Sequence, residues 1–166
     1  MKIKDDVLIA LLAGILVISK EILAFLPNVE IVSFLLIIYT CCLNFKRAIL
    51  IALVFSLLEI LLYGLGMWTI MYMVLWPLLC VLTHLLSCYL TTELRLALLS
   101  GAFGLSFGLL YEIPYFIVDF NLGLGVWLQG LPFDFIHGIG NYLIMLILYE
   151  PIYTRFKSLV LRFEKI

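Results

Sequence analysis

Leu131-Pro-Phe-Asp-Phe-Ile-His-Gly-Ile-Gly-Asn141 sets an acid, an imidazole and an amide at the start of the last long apolar run of the chain. On a helix, Asp134, His137 and Asn141 fall at i, i+3 and i+7 and share one face. Polar groups at membrane depth are costly, so such a face turns to a bundle interior or a water-filled cavity. The stretch therefore predicts an inward-facing binding surface, provided that the rest of the chain is a membrane bundle.

The composition meets that condition. Of 166 residues, 66% are hydrophobic and only 13% are charged, too few to clothe a soluble domain. The mean hydropathy of +1.24 agrees. A spanning helix takes about 20 mostly apolar residues. Six spans would use most of the chain, so the expectation is an all-α integral membrane protein with one domain over residues 1–166. No concentrated basic patch suggests a nucleic-acid partner. Cys41, Cys42, Cys80 and Cys88 lie in or beside apolar runs and read as small hydrophobes rather than a disulfide framework. Lys2 and Lys4 before an apolar run resemble a signal peptide, but no small-residue cleavage site follows. The run reads as a retained first helix.

Outward from the quoted stretch, the spans fall in order. The first covers about residues 7–25 and stops at Pro27. Ala10, Ala13 and Gly14 form a small-residue patch on it, suited to packing within the bundle or to docking a partner. Lys20 and Glu21 near its far end can snorkel to the interface. The second is short, about 29–43. Asn28 and Glu30 stand where the chain re-enters, as caps or as ligand contacts. The third, about 48–65, carries Glu59, a lone acid within a span, and ends in the turn Tyr63-Gly-Leu-Gly66. The fourth, about 67–89, bears Trp68, Tyr72 and Trp76 on one face, either an interfacial belt or the wall of a pocket. Pro77 should kink it. Its Cys80, His84 and Cys88 also share a face, but a zinc site needs further ligands that do not stand at that depth, so no metal is expected. The fifth, about 94–118, has a ridge of Gly101, Gly104, Ser106 and Gly108 and ends near Tyr111 and Glu112. A loop with Asp119, Asn121, Gly123 and Gly125 leads past Trp127 and Gln129 to a sixth span, about 132–153, with Pro132 in its first turn.

Charge fixes the expected orientation. Lys2, Lys4, Lys46, Arg47, Arg95, Arg155, Lys157, Arg162 and Lys165 all fall on one side of six spans, and Lys20 alone falls toward the other. The positive-inside rule then puts both termini in the cytoplasm. The outer ends are acidic to uncharged and rich in aromatics.

With these features in order, the chain resembles the substrate-binding S components of energy-coupling factor (ECF) vitamin transporters. The resemblance covers nearly the whole chain. It rests on the six-span pattern, on Ala10-Leu-Leu-Ala-Gly14, on Leu26-Pro-Asn-Val-Glu-Ile-Val-Ser33, on Leu58-Glu-Ile-Leu-Leu-Tyr-Gly-Leu-Gly66 and on Pro132-Phe-Asp-Phe-Ile-His-Gly-Ile-Gly-Asn141. It implies a multi-pass subunit of the bacterial plasma membrane that captures a vitamin outside and works with a transmembrane coupling subunit and two cytoplasmic ATPases. Ala10, Ala13 and Gly14 match the family's docking patch, with Gly14 in place of a usual alanine. The ligand would be met by the outer ends of the spans, which makes Asn28, Glu30, Glu59, Tyr63, Trp68, Tyr72, Tyr111, Glu112, Gln129, Asp134, His137 and Asn141 the candidate substrate-binding residues. The Pro-Asn-Val-Glu segment and the Asp-x-x-His-x-x-x-Asn ending are similar to members associated with cobalamin or related corrinoids. Pyridoxine-like and pyrimidine compounds stay open. No phosphate-cradling Gly-rich motif ending in Lys-Ser/Thr is present, so ATP hydrolysis is expected in partners, and neither catalysis nor a cofactor in this chain. Two rivals remain: a non-transporting scaffold of an envelope or cell-shape complex, and an intramembrane enzyme using Asp134 and His137.

Overall fold

A computed structural model describes residues 3–26 and 29–165. Seven helices make up the described chain: α1 (Ile3–Ile22), α2 (Val32–Cys42), α3 (Phe45–Tyr63), α4 (Met67–Leu85), α5 (Glu93–Tyr111), α6 (Ile113–Val118) and α7 (Phe120–Glu164). Met67–Leu85, Glu93–Val118 and Phe120–Glu164 are long and apolar enough to cross a membrane, and α2 is a shorter apolar helix. α1 and α3 match them in length but carry charges near their ends. The outer surface is apolar: Leu61, Leu98, Ile139, Leu143 and Ile147 are all exposed. A soluble monomer rarely shows apolar patches on this scale. The chain is a membrane protein.

α2 is the centre. Val32, Ser33, Phe34, Leu36, Ile37, Ile38, Tyr39 and Thr40 are all buried, on every side of the helix. A helix that is hydrophobic all round belongs inside. α1, α3, α4, α5 and α7 each pack against it. Around it, α1 meets α3, α3 meets α4, α4 meets α5, and α5 meets α7 most extensively of all. Among the described residues α1 and α7 do not close this ring, apart from Lys4 lying over the Phe163 ring at one tip.

That tip is fixed by charge. Arg47, at the start of α3, donates to Asp5 of α1 at 2.9 Å and to Glu164 of α7 at 2.6 Å. Asn44 caps α3 by accepting from the Arg47 backbone N–H, and only Leu43 and Asn44 separate α2 from α3. The C-terminal end of α2 is thus pinned to the basic end of the bundle. Its length then matters. Eleven residues rise about 17 Å, whereas the 20 residues of α1 and the 19 of α3 rise about 30 Å. α2 stops roughly two turns short of the opposite end, and space is left above it.

The structure moves several expected boundaries. Span five is broken at Glu112 into α5 and α6, with Pro114 seated in the first turn of α6, where its missing N–H does no harm. The loop expected after it is helical: α7 starts at Phe120, capped by Asp119, and runs on through Pro132 and Pro151. Pro132 is therefore inside a helix rather than in a first turn. Gly123 allows this hairpin, since a Cβ there would strike the backbone and ring of Phe116. The Gly64–Gly66 turn is as expected, with Gly64 at φ 84°, a conformation that glycine adopts without strain.

Candidate functional site

The space above α2 is a cavity of about 290 Å³. Its floor is the start of α2, its lip is the segment after α1, and its walls come from α1, α3, α4, α5 and α7.

One wall is a row of aromatic rings. Tyr63 meets Trp68 with centroids 5.4 Å apart, Trp68 meets Tyr72 at 5.4 Å, Tyr72 meets Trp76 at 5.2 Å, and Trp76 meets Phe107 at 5.4 Å. Phe107 then meets the His137 imidazole at 5.0 Å. Most of these contacts are edge-to-face, the geometry that ring quadrupoles favour. Tyr63, Tyr72, Trp76 and Phe107 line the cavity, and Trp68 stands behind Tyr63 and Tyr72. The Trp68-Tyr72-Trp76 face is thus a pocket wall, with Trp76 only 2% exposed.

Polar groups sit at two places on the wall. Glu30 spans the first: its Oε2 accepts from the Ser33 backbone N–H at 2.9 Å, and its Oε1 lies 3.2 Å from His137 Nε2. Glu30 therefore caps α2 and contacts the cavity histidine at once, so the two roles expected of it coexist. The second place is Lys20. It does not snorkel outward. Its ammonium donates to Glu59 Oε2 at 2.5 Å, lies 3.6 Å from Glu21, and sits 4.4 Å from the Tyr63 ring centre. Glu59 is fully buried, and an unpaired charge there would be prohibitive, so the lysine is drawn in. Tyr63 completes the group by donating its hydroxyl to Glu21.

The face quoted at the outset is buried as expected: Asp134 is 6%, His137 5% and Asn141 1% exposed. Only His137 reaches the cavity. Asp134 and Asn141 lie in the seam between α5 and α7. Asp134 Oδ1 accepts from the Gly108 backbone N–H at 2.9 Å, and a Cβ on Gly108 would collide with its carboxylate. A Cβ on Gly104 would come within 2.9 Å of the Gly138 Cα and the His137 carbonyl. The glycine ridge is what lets the two backbones touch.

Of the other candidates, Tyr111 and Glu112 lie beyond the cavity lining, Tyr111 stacked at 6.5 Å on Phe107. Gln129 is exposed on the α6–α7 hairpin and contributes no wall. Asn28 lies outside the described residues. Ala10 is exposed and Gly14 half-buried with open space beside it, but Ala13 is fully buried. Of this small-residue patch, Ala10 and Gly14, one turn apart, lie toward the outside of α1, while Ala13 turns into the core. His84 is stacked on Phe45 at 4.4 Å, away from any cluster of metal-ligating side chains among the described residues. The sequence reading placed Trp76 on the face left open between belt and pocket wall, and missed Phe107 as a cavity residue and the Lys20–Glu59 pair. The ion pair joins positions 39 apart and left no local signal.

Comparison of the chain with protein-family models, with curated proteins and with solved structures finds no match.

Proposed function

We propose that the chain is the substrate-capture subunit of an ECF-type vitamin importer, crossing the bacterial plasma membrane six times. The six crossings are α1, the short α2, α3, α4, the α5–α6 pair and α7. The observation that carries this reading is the cavity above the short central helix, opposite the end where Arg47 ties α1, α3 and α7 together. With the positive-inside rule, that basic end is cytoplasmic and the cavity opens outside. An aromatic wall with a few placed polar groups is the usual make-up of a small-molecule site. Its volume, near the lower end of the roughly 300–1,000 Å³ typical of such sites, suits a compound of one or two rings. A corrinoid is too large for it unless Leu23, Ala24, Leu26 and Val29 at the lip move away. Energy would come from two ATPases through a coupling subunit docked on Ala10 and Gly14, and this chain would catalyse nothing.

Mass spectrometry of small molecules that co-purify with the detergent-solubilised protein, followed by calorimetry against a vitamin panel that includes cobalamin, tests the capture role. A stoichiometric vitamin establishes it. A ligand-free protein that binds none of the panel moves the assignment to the scaffold reading, which draws on a specific observation: Lys20, Glu59, Glu30 and His137 already partner one another. Ala10→Phe and Gly14→Phe are expected to spare capture and abolish assembly with the coupling subunit, as read by co-purification.

A further inference from the structure

The cavity has two features that ordinarily attract anions, and both are taken by the protein's own carboxylates. The first is the N-terminus of α2, whose free backbone N–H groups and helix dipole would suit a phosphate. Glu30 occupies it, with Oε2 on the Ser33 N–H. The second is Lys20, the one cation among the described lining residues. Its ammonium is held by Glu59 at 2.5 Å and Glu21 at 3.6 Å. An anionic ligand would have to displace carboxylates from both.

What remains for a ligand is the opposite chemistry. Two carboxylates, Glu21 and Glu30, line the cavity against the single ammonium of Lys20, and His137, which also faces it, is bound to Glu30. The aromatic wall presents ring faces, which carry negative potential. The protein itself shows what such faces hold: the Lys20 ammonium rests over Tyr63 at 4.4 Å and Trp68 at 5.5 Å. The same row continues through Tyr72 to Trp76 and Phe107.

We propose that this cavity selects a positively charged ring compound, seated on Tyr72, Trp76 and Phe107 with its charge toward Glu30, and rejects anionic ligands such as phosphate esters. The selectivity rests on the capture reading, because it describes the ligand of the same site. Discrimination then comes from self-neutralisation: the fold fills its own anion sites with Glu30 and Glu59, so an anion meets carboxylates there, while a cation meets carboxylates and ring faces.

The test is calorimetry on the purified full chain in detergent with pairs that share a ring system and differ in charge, thiamine against thiamine monophosphate and pyridoxamine against pyridoxamine 5′-phosphate, with nicotinate and cyanocobalamin alongside. The expected result is that a cationic member binds at least about ten-fold more tightly than its phosphate ester, a margin of about 1.4 kcal/mol. Glu30→Gln should narrow that margin without unfolding the protein. Preferred binding of an ester, of nicotinate or of cyanocobalamin would leave the capture role standing and overturn the charge selectivity. If a different compound co-purifies, its charge decides: a cation supports the proposal and an anion overturns it. If nothing co-purifies and nothing in the panel binds, the capture reading falls and the selectivity falls with it.

Discussion

His137 and Asn141 stand one turn apart on the same face of α7, yet one looks into a cavity and the other into a seam with no space at all. The difference lies in what each meets. Opposite His137 the central helix has ended, and Glu30, in the segment just before it, crosses to fill part of the gap. Opposite Asn141, α5 runs at full length, and its glycines bring the backbone up to contact. Polar side chains in the first region pair across distant parts of the chain and leave volume for a guest. In the second, Asp134 Oδ2 and both polar atoms of Asn141 are buried without partners, and the packing is set by backbone. A shared helical face therefore defines burial, while the length of the neighbouring helix defines whether burial makes a pocket or a joint.

The comparison can be broken most directly at Lys20. Lys20→Met leaves Glu59 buried and unpaired, and should cost about 3–5 kcal/mol, toward the lower figure because the lysine is partly solvated. Lys20→Met with Glu59→Leu should recover most of the loss. Chemical denaturation followed by tryptophan fluorescence measures both, and a double variant no better than the single one would show that the pair does not hold α1 to α3. Next, Gly104→Ala should cost about 1–3 kcal/mol by overpacking the seam, with little change in ligand affinity for the protein that remains folded. Third, His137→Ala should weaken ligand binding at least ten-fold, a loss of about 1.4 kcal/mol, whereas Asp134→Asn should lower melting temperature more than affinity. Equal loss of affinity in both would merge the two regions into one site.

Much of this was legible in the residues. Apolar runs gave the long helices, and the buried Asp134-His137-Asn141 face followed from spacing alone. The Gly64–Gly66 turn followed from local chemistry, and spacing put Trp68, Tyr72 and Trp76 on one face of α4 without deciding between belt and wall. The helical hairpin at residues 113–131 was not legible, because Gly123, Gly125 and Gly130 imitate a loop when the Phe116 contact is unknown. Nor was the division of the candidate site. Periodicity places Asp134, His137 and Asn141 on one stripe but cannot say that α2 is short enough to leave room over only one of them. Ala13 shows the same limit: it belongs to the small-residue patch by sequence and to the core by packing.

α7 has 45 residues, so as a continuous helix it measures about 68 Å, more than twice the hydrocarbon thickness of a bilayer. One end carries the hairpin with α6, the midsection carries His137, and the far end is clamped by Arg47 through Glu164. Such a rod converts angle into distance: a tilt of a few degrees about its midpoint shifts each tip by a few ångström in opposite directions. Pro132 and Pro151 each remove a rung of backbone hydrogen bonding, one on either side of the buried midsection. The helix that lends the cavity its histidine is thus also a lever with two soft joints, so that an angle set beside His137 would be read as a displacement at the Arg47 clamp.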